Sequence, residues 1–439
     1  MNCRKTLLSR IVRASALIGA GMLVNQVHGA GFALNDHSAT ASGNALAGAA
    51  ASKADISGSF WNPALLTNAS GPELYMSGAA LLPSMDVSAN SASDPAGNHI
   101  SGEATDVVDP SIVPAIYYAH PVAENTVAGL SFNVPFGLSG EYGRDWAGRY
   151  HSAETSVEVM TLAASVAHKV SETISVGGSL QVHKGSVLLA AALTDFAGGL
   201  SNHGEGYGEL EGDDISVGYS LGVLFEPAEG TRIGLGHRSE IDFTFEGESS
   251  YDNVPPTLRA LGVDEAYLFD QIDFPSVTSL GLEQDVNERL TVAATAMYTG
   301  WSSMDEMRIA FAPGPDNIKQ PDSVITFKFQ DQWFYSLGLS YLVDDKLTVR
   351  TGVARDYSPV RDEYRTARTP DDDRTWYSFG GSYQFSPDTE LHMAYTYVDV
   401  DDTSVIRDGS LPEDASRGRL NADYETHAHV FSLGFNMKF

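Results

Sequence analysis

The sequence predicts an all-β transmembrane barrel of about 14 antiparallel strands, its lumen plugged by a small, partly helical N-terminal hatch. Three observations lead there. Apolar and polar residues alternate with period two over most of the chain. Short, turn-like links alternate with long polar ones. The chain ends on an amphipathic segment closed by Phe439. The organisation that follows is a signal peptide at 1–29, a hatch at 30–72 and a barrel at 73–439.

The N-terminus reads as an export signal. Arg4, Lys5, Arg10 and Arg13 form a basic region, and Ala14 to Val24 a mostly apolar core too short for a membrane anchor. Cleavage is expected before Ala30. It removes Cys3, the one cysteine, so the mature chain has no disulfide, thiol nucleophile or Cys-based metal site. The whole chain carries 27 Lys and Arg against 57 Asp and Glu, a net charge of −30. That acidity argues against nucleic acid, whose phosphates need a basic surface. Beyond the signal no run of 18 apolar residues occurs, which excludes a multi-helix membrane protein but not a barrel, whose strands are half apolar.

The strands come next. In 215–225, Ile215, Val217, Tyr219, Leu221, Val223 and Phe225 share one face, with Ser216, Gly218, Ser220 and Gly222 on the other. The same pattern holds over 325–341, where Ile325, Phe327, Phe329, Trp333, Tyr335, Leu337, Leu339 and Tyr341 alternate with polar residues. It returns at 347–353, 375–385, 391–397 and 429–439. Such alternation means strands with one apolar and one polar face. A soluble sandwich alternates too. Aromatics near strand ends and polar faces of Gly, Ser, Thr and Gln favour a membrane barrel with a hydrated lumen.

The links set the strand count. Short ones fall at 119–126, 170–173, 226–231, 285–288, 343–346 and 386–389. Long ones fall at about 86–110, 138–152, 188–213, 246–272, 305–323, 356–373 and 399–425. Short periplasmic turns and long outer loops are the outer-membrane pattern, and six of one with seven of the other join about fourteen strands. The last segment, Val430 to Phe439, has the amphipathic, aromatic-ended form that the outer-membrane assembly machinery accepts. Residues 30–72 do not fit a strand. Ala39 to Ala51 is nearly all small, and Trp61-Asn62-Pro63-Ala64-Leu65-Leu66 places anchors that want burial. A compact plug entering from the periplasmic side accounts for both.

These residues carry a resemblance. Ala30-Gly31-Phe32-Ala33-Leu34-Asn35 and Asn62-Pro63-Ala64 look like the N-terminal hatch of the FadL-type outer-membrane transporters for long-chain fatty acids and other hydrophobic compounds. Pro135-Phe136-Gly137-Leu138 follows, then Trp146, Gly148, Arg149 and Tyr150. His237-Arg238-Ser239-Glu240, Trp301-Ser302 and Pro370-Asp371-Asp372-Asp373-Arg374-Thr375-Trp376 complete the match, in order, over essentially the whole mature chain. The resemblance implies a fourteen-stranded barrel with a hatch, in the outer membrane of a Gram-negative bacterium. It also implies passive uptake gated by the N-terminus, with Gly31, Phe32, Leu34, Asn62, Pro63 and Ala64 as hatch residues. Lateral exit would follow, through the wall at a kinked third strand of about 125–138, where Pro135 removes a ladder donor and Gly137 permits a bend. The family's outer loops often carry apolar segments that catch ligand. Here 188–213 looks short and Gly-rich, whereas Leu258, Leu261, Val263, Tyr267, Leu268 and Phe269 in 251–269 offer an apolar landing surface.

The mechanism has a physical rationale. Moving an alkyl chain from an apolar site into water costs about 0.8 kcal/mol per CH₂, near 12 kcal/mol for roughly sixteen carbons. Such a substrate needs consecutive apolar sites and a gate, not a wet pore. Arg149 and Arg374 are candidate partners for a carboxylate, with pairing to local acids such as Glu141, Asp145 or Asp371–Asp373 as the alternative. No other chemistry stands out. His427 and His429 share a strand face but make a lone pair. Asp371–Asp373 and Asp399–Asp402 lack the spacing of a calcium loop. There is no Gly-x-Ser-x-Gly and no P-loop. No metal, cofactor or catalytic residue is expected. The expected partners are a fatty acid or hydrocarbon ligand, outer-membrane lipid and lipopolysaccharide (with divalent cations bridging the latter to the acidic surface), and the assembly machinery. The chain is expected to be a monomer. Uptake of aromatic hydrocarbons by the same route, a general porin for polar solutes, and an outer-membrane enzyme or adhesin are the alternatives.

Overall fold

A computed structural model describes residues 30–104, 107–194, 205–314 and 317–439. The expected signal peptide, 1–29, lies outside the described residues. Among them the first strands are β1 (Glu73–Ser93), β2 (Ser111–Ala123), β3 (Thr126–Glu141), β4 (Glu154–Lys169), β5 (Ile174–Leu193) and β6 (Gly206–Ala228). β7 (Thr231–Arg238), β8 (Ile241–Asp252), β9 (Ala266–Phe274), β10 (Val277–Asp285), β11 (Leu290–Thr299), β12 (Glu306–Phe311) and β13 (Ser323–Thr326) follow. β14 (Gln332–Leu342), β15 (Leu347–Asp356), β16 (Arg374–Ser386), β17 (Thr389–Val400), β18 (Thr403–Arg407) and β19 (Arg419–Lys438) complete the sheet.

All neighbours pair antiparallel, and the sheet closes where β1 meets β19, from Glu73 opposite Lys438 to Ser93 opposite Arg419. Five of the nineteen segments, β8, β9, β12, β13 and β18, extend the outer rim, leaving a wall of fourteen strands. Closure leaves no open edge, which a sheet in lipid requires. The alternation is as the sequence implies. On β5, Leu180 and Val182 are exposed on the outer face, while Gln181 and His183 are buried in the lumen. Exposed apolar residues of this kind on strand after strand are the lipid-facing band. The six short links join β2 to β3, β4 to β5, β6 to β7, β10 to β11, β14 to β15 and β16 to β17, all at one end.

Two stretches depart from the sequence reading. Much of 188–213, expected as a loop, is ladder: β5 and β6 stay paired out to Leu193 opposite Gly206. Above the bilayer both faces of a strand are wet, so Glu209, Glu211 and Asp213 leave no apolar alternation to read. The long strand expected over 325–341 is interrupted. Lys328 has φ +45, and the N–H groups of Phe327 and Lys328 both donate to the Asp305 carbonyl, at 2.9 and 2.7 Å. The break folds Phe327 and Phe329 into the lumen core.

The N-terminal segment fills that lumen. α1 (Ala39–Ser42) is capped by Ser38, whose hydroxyl accepts the Ala41 N–H at 3.1 Å. Two 3-10 turns follow, Ile56–Phe60 capped by Asp55 and Pro63–Asn68 capped by Asn62. In the second, Pro63 occupies the first turn, where its missing N–H costs nothing. The segment packs backbone to backbone against the wall. A Cβ on Gly236 would lie 1.8 Å from the Trp61 carbonyl oxygen, so only glycine fits there. Leu34, Leu46, Ile56, Phe60, Trp61 and Leu66 share a core with wall residues Tyr75, Tyr117, Phe334 and Trp376.

Candidate functional site

β3 sets the geometry. Asn133 lies opposite Thr161 of β4, and Phe136 opposite Val159. Val134 and Pro135 therefore face only Met160, a β-bulge with a proline in it. On its other edge β3 pairs with β2 only as far as Phe132 opposite Ile116. β2 itself continues beside β1 out to Ser111. The outer half of β3 has thus separated from β2. The N-terminal segment takes up the freed edge. Leu34 donates its N–H to the Pro135 carbonyl at 2.8 Å, Gly137 donates to the Phe32 carbonyl at 2.9 Å, and Ala33 bridges Phe136.

This pairing aims Phe32 into the lumen. Its ring stands edge-on to Trp301 at 4.7 Å, Phe274 at 5.4 Å and Phe136 at 6.2 Å. Above it is an apolar pocket walled by Phe32, Leu138, Val157, Leu189, Phe245, Phe274, Met304 and Met307. Its free volume is about 20 Å³, room for about one water molecule and far short of an alkyl chain. The pocket is closed around Phe32. An alkyl or aromatic ligand fits there only if wall side chains move aside.

A buried acid pair tethers the tip. The Gly31 N–H donates to Asp371 at 2.8 Å and the Ala30 N–H to Asp356 at 3.3 Å. Gly31 has φ +68, which glycine adopts without strain. Ser358 donates to Asp371 at 2.7 Å, and Arg374 is ion-paired with it. Burial raises the Asp371 carboxyl above the usual range, opposed by Arg374. Asn62 acts as a staple. Its Nδ2 donates to the Ala50 carbonyl at 2.7 Å and to the Val223 carbonyl of β6 at 2.9 Å, while its Oδ1 accepts the Ala64 N–H at 3.0 Å. Burial, then the charge of Arg238, pushes neighbouring His37 down to about 3, so it is neutral. Arg238 itself lies 4.2 Å over the Phe60 ring.

The two candidate carboxylate partners are both paired with acids of the chain. Arg374 is engaged by Asp371 and stands 3.9 Å from Asp356. Arg149 donates to both oxygens of Glu205, at 2.8 and 2.7 Å. Each is neutralised internally. The landing surface also divides. Leu258 of α2 (Pro256–Ala260), Leu261 and Val263 line an outer cavity of about 570 Å³. Leu268 points into the lumen core from β9, whereas Tyr267 and Phe269 take the opposite face and are half exposed. A strand, not a helix, carries these three, so alternation separates them.

Sequence reasoning missed Arg368 and Arg417, which line the outer cavity. Arg368 also borders the apolar pocket. It donates to the Glu154 carbonyl at 2.8 Å, to Thr155 at 2.7 Å and to the Ala190 carbonyl at 3.1 Å. Its sequence neighbours, Arg365 and Asp371–Asp373, disguise it as one more solvated loop charge. Among the described residues no group of three His, Cys, Asp or Glu is placed to hold a metal ion. His429 instead pairs with the Tyr395 hydroxyl at 2.8 Å on the outer face.

A bulged third strand, an N-terminal strand seated on it and a plugged fourteen-stranded wall agree with the family model described as outer membrane protein transport protein (OMPP1/FadL/TodX), which matches residues 21–439. The chain belongs to this family. Among its FadL/TodX-family relatives, the long-chain fatty acid transport protein of Salmonella typhi is 26% identical, the match covering 99% of this chain and all of that one. Among solved structures, a Pseudomonas aeruginosa FadL homologue superposes with a TM-score of 0.84 at 22% identity, covering 93% of this chain and 100% of that one. The Pseudomonas putida toluene transporter TodX gives 0.66 at 19%, covering 93% and 99%. Membership makes this an outer-membrane protein of a Gram-negative bacterium that transports hydrophobic compounds. The relatives named include both fatty-acid and toluene transporters.

Proposed function

We propose that this protein takes up long-chain fatty acids by passive binding and gated lateral release. The observation that carries the reading is the closed apolar pocket whose stopper, Phe32, is mounted on the β3 bulge. Ligand collects in the outer cavity, moves into the pocket and displaces Phe32. Because Phe32 and Leu34 are hydrogen-bonded to β3 beside its separation from β2, displacing them uncovers the wall at that point. The ligand then passes between β2 and β3 into the bilayer without meeting water. Residues 30–72 act as a hatch that blocks the direct route to the periplasm. Cleavage before Ala30 would place a new α-ammonium against Asp356, strengthening the tether that ligand must break. The expected setting is a monomer in outer-membrane lipid and lipopolysaccharide, inserted by the assembly machinery.

The test is uptake of a labelled long-chain fatty acid by the reconstituted protein, with toluene and a small sugar in parallel. Saturable fatty-acid transfer without sugar passage is expected. Toluene transfer alone would change the substrate class to aromatic hydrocarbons. Free passage of sugar would make the protein a porin. Deleting Val134 removes the bulge and lets β3 run in register beside β4. Lateral release predicts that this variant still binds fatty acid but transfers it at least about tenfold more slowly. Unchanged transfer would sink the lateral route.

A further inference from the structure

Residues 34–37 form a strap between the two sides of the opening where β3 has left β2. On one side the Leu34 N–H donates to the Pro135 carbonyl of β3 at 2.8 Å. On the other, the His37 carbonyl accepts the Ser77 hydroxyl of β1 at 3.0 Å and the Tyr117 hydroxyl of β2 at 3.4 Å. Asp36 lies within this strap. It is 1% exposed, and neither oxygen of its carboxyl has a hydrogen-bond partner among the described residues. Burial alone acts on it and pushes it up to about 7. The titratable groups of the surrounding elements are engaged elsewhere. His37, next in the chain and neutral, turns Nε2 to the Leu34 carbonyl and packs its ring on Phe60. The Tyr75 hydroxyl of β1 meets Ser38 and Thr40, and the Tyr117 hydroxyl of β2 accepts from Asn133 of β3. Arg238 of β7 covers the Phe60 ring, and His183 of β5 pairs with Thr161 of β4. Asp55 of the first 3-10 turn accepts from Thr40 and Ser57. At the tip, Asp356 and Asp371 take the Ala30 and Gly31 N–H groups, with Arg374 beside them.

A carboxyl without partners is buried far more cheaply as the neutral acid than as the anion. Seating the strap takes Asp36 out of water. Lifting it returns the side chain to water, where an aspartate titrates near about 3.9. Between the solvated and the buried value, opening therefore releases a proton. The sign follows from linkage. The contribution of Asp36 to the closed state is whole below the solvated value and is lost as pH rises through the buried one. We infer that Asp36 makes the gate proton-sensitive: acid locks the strap across the β2–β3 opening, and rising pH frees it. At neutral pH the strap stands close to release, so a ligand that binds through apolar contacts alone has less to overcome. The tip runs the other way. Protonating Asp356 or Asp371 weakens their hold on the Ala30 and Gly31 N–H groups, so acid loosens that tether, and substitution at Asp36 separates the two effects. This rests on the gate of the transporter reading and adds its regulation.

The experiment is hydrogen–deuterium exchange on the full purified protein without ligand, from pH 5 to pH 7, corrected for the intrinsic pH dependence of amide exchange. The readout is the peptide covering residues 30–38, with peptides of β1 and β19 as the reference. Protection of 30–38 should fall by about tenfold or more over this range while the reference ladders stay unchanged. Asp36→Asn is neutral at every pH and close to the same shape. It should keep at pH 7 the protection that the wild type has at pH 5. Protection that does not fall with pH in the wild type would overturn the inference. So would the same fall in Asp36→Asn, which would assign the proton to another group. The wild-type series decides alone should the variant fail to insert. Oleyl alcohol, which does not titrate, is then added at pH 7 and should lower the protection of 30–38 further. A pH response that is intact with no response to the alcohol would leave the proton-sensitive strap standing and overturn the transporter reading itself.

Discussion

The lumen is built in two ways, and Phe32 marks the seam. Towards the periplasmic end, the 30–72 segment lies flush on the wall, with Gly236 touching the Trp61 carbonyl and Asn62 bonded across to β6. The vestibule beneath it is polar. Its Arg232 is matched by Glu283 and Asp285, each at 2.8 Å. Towards the outer end the pocket beside Phe32 is walled by Phe, Met, Leu and Val, and the cavity of about 570 Å³ next to it mixes Leu258, Leu261 and Val263 with Glu306, Arg308, Arg368 and Glu413. Both ends hold a cavity, about 640 Å³ in the vestibule and about 570 Å³ at the outer end. What separates them is close backbone packing below and side-chain packing above, because side chains can move aside and backbone ladders cannot.

The comparison breaks most sharply at Gly236. Valine there would collide with the Trp61 carbonyl, which is backbone and cannot rotate away. The expected cost is at least about 1–3 kcal/mol, the usual range for overpacking. It should appear as a lower unfolding temperature of the barrel and faster protease cleavage within 30–72. A variant as stable and as protected as the wild type would show that the segment is not seated as described.

Phe32→Ala has a smaller effect on stability and a clearer one on binding. Removing a buried Phe from a core costs about 3–5 kcal/mol. Here much of that falls on the local docking of residues 30–34 rather than on the wall, which is closed by its own ladders. Ligand no longer needs to expel the ring, so oleate should bind more tightly, by about tenfold or more, because a gating cost is removed. Weaker binding would mean that Phe32 is a permanent wall of the pocket and not its stopper.

The fold was largely legible because a bilayer imposes period two on every strand that crosses it. Leu180, Val182 and Val217 outward with Gln181 and Ser220 inward is a pattern written in composition. The signal faded where the bilayer ends. There the β5–β6 ladder carries Gly208, Glu209, Gly212 and Asp213, with no apolar face to read, and looked like loop. The break in β3 was legible for a different reason. Pro135 is so costly within a ladder that its presence marks a break, and Asn62-Pro63 is a helix-start signature. The charge pairing was not legible. Arg149, Arg368 and Arg374 are alike in sequence, each near acids, but Glu205 lies 56 residues from Arg149 in the chain and meets it only when the outer loops fold together. Whether an arginine is paired with an acid is a tertiary fact.

That distinction is open to the mildest of these changes. Arg149→Gln removes an ion pair whose Glu205 side chain is one-third exposed, so the stability lost should be no more than about 1 kcal/mol. The ratio of oleate to oleyl alcohol affinity should stay within about twofold of the wild type, because Arg149 has no charge to spare for a ligand. Arg368, by contrast, is held by the Glu154 and Ala190 carbonyls and the Thr155 hydroxyl, with no acid at ion-pair distance among the described residues. If Arg149→Gln changed the ratio by more, Glu205 would have to leave Arg149 when ligand arrives, and the outer end would hold a charge that is exchanged between protein and ligand.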